Sequence, residues 1–268
     1  MTNTTKAVIL ARGLGTRMRA AADDAQLSEE QAKAADAGVK GMINVGRPFL
    51  DYVISALADA GVTDVCLVIG PEHDMMREYY GSPEIKRVKM HFAVQEEPLG
   101  TANAVLAAEE FAGEDAFIVV NSDNYYSAGS LTKLAAAEGA AMLGYEREAL
   151  ISGSNIPEDR VAAFAIIDQD GNQLVDMLEK PAPEVLASRP NARISMNAFR
   201  FTKPVFEACK NIDKSIRGEY ELADSLRYLL SHGTPIEVVP VAEGVLDMSR
   251  RTDIAAVKDA LSGIEVSL

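Results

Sequence analysis

The chain has 268 residues, of which 48% are hydrophobic and 25% charged, and a formal net charge of −14. That apolar content suits a folded chain with a sizeable core and excludes general disorder, while the acidity disfavours binding along a nucleic-acid backbone. Cys66 and Cys209 are the only cysteines, which rules out a zinc cluster or disulfide framework, and with no apolar stretch of membrane-spanning length and no signal-like N-terminus a cytoplasmic protein is expected.

Apolar periodicity sets the expected elements. Ala7–Leu10 is a short apolar run ahead of Gly13 and Gly15, a buried strand entering a turn. Residues 19–38 are rich in Ala, Asp, Glu and Gln. There Ser28 and Gln31 have capping-box spacing, so a helix starts as a surface insertion or as a mobile lid that orders when a ligand binds. Phe49, Val53, Ile54 and Leu57 repeat at helical spacing between Pro48 and Ala60, and Gly61 stops that helix. Val65–Ile69, Val88–Val94 and Phe117–Val120 read as strands, with a helix over Ala102–Glu110. This alternation implies a parallel sheet with helices on both faces.

Beyond residue 130 the pattern changes. Ala140–Tyr145, Ala163–Asp168 and Leu174–Leu178 read as short strands, the last two joined by an Asp170-Gly171 hairpin turn. Ile194–Phe201 follows as a strand and Tyr220–Ser231 as a helix with Leu222, Leu226 and Leu229 on one side; Ile236–Val241 is a late strand and Ile254–Leu261 a closing helix. Without repeat or linker, residues 1–268 are expected to form a single α/β domain, with halves over about 5–130 and 131–268.

Several residues carry chemistry by type and place. Gly13 and Gly15 let the backbone after a buried strand turn sharply and present amides to phosphate oxygens, and Arg17 adds a multi-donor cation; the plain alternative is a tight strand–helix turn. Met18 stands where a dinucleotide fingerprint has its third glycine, which argues against NAD. In the run 95–102, Gly100 lets the backbone approach a ligand closely and Gln95 carries both a donor and an acceptor; the alternative is a polar loop before a helix capped by Thr101. Asp123 stands at the C-terminal end of a strand, where α/β folds place ligands. His73, His91 and His232 have no ligand spacing.

In order along the chain these segments resemble the sugar-1-phosphate nucleotidylyltransferase family. Gly13-Leu14-Gly15-Thr16-Arg17-Met18 is similar to its signature loop, and Lys40 with Arg47-Pro48-Phe49-Leu50 to its lysine-bearing segment. Gln95-Glu96-Glu97-Pro98-Leu99-Gly100-Thr101-Ala102 resembles its nucleobase loop, and Asn121-Ser122-Asp123-Asn124 its metal-binding strand end. Glu179-Lys180-Pro181 and Met196-Asn197-Ala198-Phe199 resemble sugar-facing segments, and Val245-Leu246-Asp247-Met248 the carrier of a second metal carboxylate. Arg12 stands where the family usually has Ala or Gly, Val39 and Gly41 replace prolines beside Lys40, and Ser249–Asp253 replaces the usual surroundings of Asp247.

The resemblance implies a Rossmann-like, mixed but mainly parallel sheet flanked by helices, of the nucleotide-diphospho-sugar transferase type, as a catalytic domain alone. It implies transfer of a nucleoside monophosphate from an NTP to a sugar 1-phosphate with release of pyrophosphate. Nucleotide contacts then fall to Ala11, Gly13, Gly15, Thr16, Gln95, Gly100 and Thr101, and sugar-phosphate contacts to Asn124, Glu179, Lys180 and Asn197. Asp123 and Asp247 would hold Mg²⁺ or Mn²⁺, and Arg17 and Lys40 would be catalytic, on the leaving pyrophosphate and the α-phosphate. UTP or dTTP is the expected donor; no nucleic-acid or membrane partner is implied, and self-association stays open. Two rivals remain: a catalytically silent nucleotide-sugar-binding regulatory homologue, and a cytidylyl- or guanylyltransferase for a non-sugar phosphate.

Overall fold

Successive residues of the first strand are buried on opposite sides, which demands cover on both faces of the sheet. The structure, a computed structural model, describes residues 4–20 and 27–268. The strands are β1 (Lys6–Leu10), β2 (Asp64–Ile69), β3 (Lys89–Val94), β4 (Phe117–Asn121), β5 (Asn124–Tyr125), β6 (Ala140–Tyr145), β7 (Ile166–Asp170), β8 (Gln173–Leu178), β9 (Arg193–Ile194), β10 (Phe199–Phe201), β11 (Ile236–Val241) and β12 (Leu246–Asp247). β3, β2, β1 and β4 lie side by side and parallel. β10 runs antiparallel between β4 and β6, and β11 is parallel to β6. The β7–β8 hairpin joins through β9, and β5 pairs with β12 in a separate two-stranded ribbon.

Two cores follow from the alternation. Ala7, Ile9, Val65, Leu67, Ile118 and Val120 face one, closed by the helices Phe49–Asp59, Ala128–Ala136 and Asp253–Leu261. Val8, Cys66, Phe117 and Val119 face the other, closed by the helices Thr101–Ala107, Pro204–Asn211 and Leu222–Ser231. The mixed α/β architecture expected from the sequence is therefore present, and β1, with β2 on one side and β4 on the other, forms the switch point at which such sheets open a crevice.

Three expected elements differ. The helix expected over Ala102–Glu110 breaks at Ala108 into Thr101–Ala107 and Glu109–Ala112. The strand expected from Ala163 begins at Ile166, because a helical turn over Glu158–Val161 runs into it. The strand expected over Ile194–Phe201 divides into β9 and β10, with Asn197 between them at φ 57°. Periodicity also left several helices unassigned, among them Asp74–Tyr80, Ala128–Ala136 and Pro204–Asn211.

The capping box at Ser28 forms. Its Oγ accepts the Gln31 N–H at 3.2 Å and Gln31 Oε1 accepts the Ser28 N–H at 3.1 Å, at the start of the helix Glu29–Ala37. That helix is docked by buried Ala35, by Gln31 Nε2 donating to the Asn44 carbonyl at 2.7 Å and by Arg251 on Asp36 at 2.5 Å. The expectation that 19–38 orders on ligand binding falls partly on residues 21–26, which lie outside the described residues.

Phe117 is fully buried and stacks on Phe206 with 5.4 Å between ring centroids. Phe117→Ala is expected to cost about 3–5 kcal/mol through lost burial and the cavity left behind. Denaturant unfolding checks this: the midpoint falls while the slope stays constant.

Candidate active site

The switch point carries the first part of the site. The Ala11 amide donates to the Val68 carbonyl at 2.9 Å and ties the signature loop to β2. Gly15 sits at φ 61°, and a Cβ there would lie 2.4 Å from the Gly38 carbonyl oxygen, so only glycine lets this loop rest on the one that leads to Lys40. A Cβ at Gly13 would meet no protein atom within 4 Å, so at that position the backbone is bare toward the cavity it lines. Thr16 opens the short helix Thr16–Arg19 and also lines the cavity, whereas Arg17 is exposed outside it, with no hydrogen bond or ion pair among the described residues.

That cavity, of about 350 Å³, runs over the C-terminal ends of β1 and β4 and includes Lys40, Gln95, Gly100 and Asp123. A second, of about 250 Å³, shares Leu10, Thr101, Asn121 and Glu219 with it, so the two adjoin. Glu179, Asn197, Arg217 and Glu221 line the second. Two binding spaces thus meet over Asn121, just before Asp123.

Asp123 lies in the turn between β4 and β5, and Lys40 Nζ donates to its Oδ2 at 2.7 Å. The β5–β12 ribbon sets Asp247 opposite Asn124, and the Met248 amide donates to the Asp123 carbonyl at 2.8 Å. Burial first, and the Asp123 charge second, push the Asp247 carboxyl up to about 6. Asp247 is nevertheless heavily braced. Its Oδ1 accepts from Asn124 Nδ2 at 3.1 Å and from Ser249 Oγ at 3.0 Å, its Oδ2 from Arg160, and its backbone is held both ways by the Asn155 side chain at 2.8 Å.

At the far end of the larger cavity, Gln95 is buried and its Nε2 donates to the Gly100 carbonyl at 3.1 Å and to Asn103 Oδ1 at 2.8 Å. Gly100, at φ 111°, abuts the chain at Tyr220: a Cβ would lie 2.6 Å from that carbonyl oxygen, so the glycine is required by protein packing. Thr101 does not cap its own helix. Its Oγ1 accepts the Leu222 amide at 3.0 Å, at the start of the helix Leu222–Ser231.

Near the second cavity, Lys180 (φ 44°) and Asn197 (φ 57°) are the only non-glycine residues with positive φ among the described residues. Such backbone is costly and persists where surrounding structure imposes it, commonly at ligand sites. Asn197 lines the second cavity; Lys180 is exposed beyond the lining of both. Glu179 is exposed as a residue, yet crowding of its carboxyl first, and the Glu221 charge second, raise its pKa. Asn124, expected among the sugar contacts, is not there: it is buried, and its amide is committed to Asp247.

The residues missed by sequence reasoning are those that brace rather than bind. Arg160 joins Asp247 to Asp253 Oδ1, the latter at 2.7 Å, and Asp253 Oδ2 in turn accepts the amides of Ser249 and Arg250 at 3.0 and 2.7 Å. Arg217 pairs with Glu221 at 2.7 Å in the sugar-side wall. No local pattern around residues 155–160 marks them, because their partners lie some ninety positions downstream.

Residues 6–244 match the family profile described as nucleotidyl transferase. The chain belongs to the nucleotidyl transferase family. Among its relatives is the UTP–glucose-1-phosphate uridylyltransferase AglF of Haloferax volcanii, 27% identical over 253 residues, which cover 92% of this chain and 93% of the relative. A glucose-1-phosphate thymidylyltransferase of Streptomyces griseus is 28% identical over 257 residues, 94% of this chain but 64% of the relative. In fold, the chain is similar to a UDP-glucose pyrophosphorylase solved with UDP-glucose, with a TM-score of 0.74 at 16% identity over 98% of this chain and 100% of the other. The chain is a nucleotidyltransferase enzyme, with the fold expected of this family.

The buried Asp247–Arg160–Asp253 triad makes a direct prediction. Arg160→Met leaves two buried carboxylates without their cation and is expected to cost about 3–5 kcal/mol. A folded pKa above the unfolded value of about 3.9 means that the native state takes up a proton first, so stability rises as pH falls through the window between them. Chemical denaturation without metal should therefore show a deficit that is larger at pH 8 than at pH 5.

Proposed function

We propose that this enzyme transfers a uridylyl or thymidylyl group from UTP or dTTP to a hexose 1-phosphate of the glucose type and releases pyrophosphate. The observation that carries the reading is the meeting of two cavities beside Asp123: a larger one lined by the signature loop and Gln95–Thr101, and a smaller one lined by Glu179 and Asn197. The names of the two relatives described above, one acting with UTP and one thymidylyl-transferring, both on glucose 1-phosphate, support it.

The residues fit a divalent cation. Asp123 and Asp247 are close enough for one charge to raise the other's pKa, an excess of negative charge that a hard cation relieves. Asp123 has only its Oδ2 engaged, by Lys40, so its other oxygen is open to a ligand. When bound, Mg²⁺ would neutralise the triphosphate and take its remaining ligands from phosphate and water.

The protein groups account for the rest. An oxygen of the sugar phosphate attacks the α-phosphorus, a new phosphorus–oxygen bond forms, and the bond to pyrophosphate breaks. A phosphate dianion is already nucleophilic near neutral pH, so no general base is required. Charge neutralisation and alignment dominate the barrier between two polyanions. Bare amides at Gly13 and the start of the helix at Thr16 receive the phosphates. Lys40, held on Asp123 in the unliganded protein, is within the same cavity and turns to the α-phosphate. Arg17, exposed and unpaired among the described residues, swings onto the leaving pyrophosphate, and Lys180 holds the sugar phosphate.

Pyrophosphate release across a matrix of NTPs and sugar 1-phosphates tests the reaction; no release with any pair would overturn it in favour of a silent nucleotide-sugar-binding homologue. Asp123→Asn is expected to lower turnover by about two to three orders of magnitude, the scale for loss of one group that stabilises transition-state charge, with an unchanged thermal midpoint. Full turnover in excess chelator would remove the metal from the reading. Lys180→Ala is expected to raise KM for the sugar phosphate with little change in KM for the NTP, measured from initial rates with each substrate varied.

A further inference from the structure

Arg12 stands between the signature loop and the base loop, and nothing in the reaction described above uses it. Its side chain is only 10% exposed. One terminal nitrogen donates to the main-chain carbonyl of Gln95 and the other makes a 3.5 Å contact with Glu72. Its Nε–H is buried and has no partner among the described residues. An orphaned, buried charge-assisted donor is costly unless a ligand completes it.

The place of this donor on the sheet indicates which part of a nucleotide it meets. Gln95 follows β3, and Asp123 follows β4, with β2 and β1 between. Three strand spacings of about 4.8 Å put the Gln95 end roughly 14 Å from the phosphate end. Arg12 is clamped to the Gln95 end and lines the same cavity. Two neighbouring groups are also incomplete. Both amide hydrogens of Gln95 are committed to Gly100 and Asn103, and since the Gly100 carbonyl can only accept, the side-chain orientation is set and Oε1 is left as an acceptor without a donor. The Gly100 amide has no hydrogen-bond partner among the described residues. The wall thus offers two donors and one acceptor.

We propose that Arg12 selects the nucleobase, its Nε–H donating to one ring carbonyl oxygen of a uracil or thymine imide while Gln95 Oε1 accepts the ring N–H and the Gly100 amide donates to the other carbonyl. Cytosine brings a bare ring nitrogen to the Gln95 acceptor and an amino group to one donor; adenine has no ring carbonyl; guanine brings an amino group to one donor. Each of them leaves at least one polar group of this wall unpaired. This inference rests on reading the larger cavity as the nucleotide site.

The test is calorimetric titration of UTP, CTP, GTP and ATP, each with Mg²⁺ and no sugar phosphate, into the wild type and Arg12→Met, which keeps length and loses the donors. The wild type is expected to bind UTP at least about tenfold more tightly than CTP, and Arg12→Met to reduce that ratio by about tenfold, chiefly by weakening UTP. A wild-type preference for CTP, GTP or ATP, or a UTP-to-CTP ratio unchanged in the variant, overturns the proposal. If Arg12→Met does not fold, 2-thio-UTP and 4-thio-UTP on the wild type decide: each replaces one ring carbonyl oxygen with a poorer acceptor, and undiminished affinity for both overturns it. Arg12-dependent UTP selection without transfer to any sugar 1-phosphate would sink the proposed function and leave this inference standing. Transfer activity with an Arg12-independent preference would do the reverse.

Discussion

Two carboxylates placed side by side inside a protein repel each other, and each demands a cation or a set of donors before the chain will tolerate it. In this molecule the pair is Asp123 and Asp247, and the rest of the site is arranged around holding them. Lys40 serves the first; Arg160, Asn124 and Ser249 serve the second. Arg160 is shared with Asp253, whose other oxygen caps the turn into the last helix, so the C-terminal helix must be docked before Asp247 is in place. The site is thereby tied to the closure of the whole chain.

This arrangement also resolves a difficulty raised by composition. A chain of net charge −14 must bind two phosphate-bearing substrates. Lys40, one cation of the larger cavity, rests on a carboxylate of the chain itself. On the proposed reading, a divalent cation on Asp123 and a phosphate on Lys40 would replace that one ion pair by two. Backbone supplies further positive potential at no cost in side-chain charge, which is the value of the bare Gly13 and the short helix that follows Gly15.

The sheet spaces the residues that line the larger cavity. With β1 at the switch point, the loops after β3, β1 and β4 line successive segments of the cavity with Gln95, the signature loop and Asp123, while Glu72, after β2, touches Arg12. The antiparallel β10 next to β4 then starts the second half, and the strained turn at Asn197 just before it is what brings that side chain to the sugar-side cavity. A continuous strand through 194–201, which apolar pattern alone suggests, would have left Asn197 in a ladder with no reason to reach the crevice.

The sequence by itself determined the sheet and the outline of the site. Apolar runs of four to six residues at β1, β2, β4 and β6 fit a sheet buried on both faces. The glycines of the signature loop, Asp123 and the Ser28 capping box were legible because their requirements are local: a turn, a strand end, a cap three residues on. Tertiary structure alone decided the remainder. Thr101 turned from its own helix to the next, Asn124 turned from the sugar to Asp247, and Arg160 became the counter-charge of carboxylates some ninety residues away. A polar side chain has several equivalent partners within reach in an unfolded chain. Which one it takes depends on what burial leaves unpaired, and that is known only when the packing is complete.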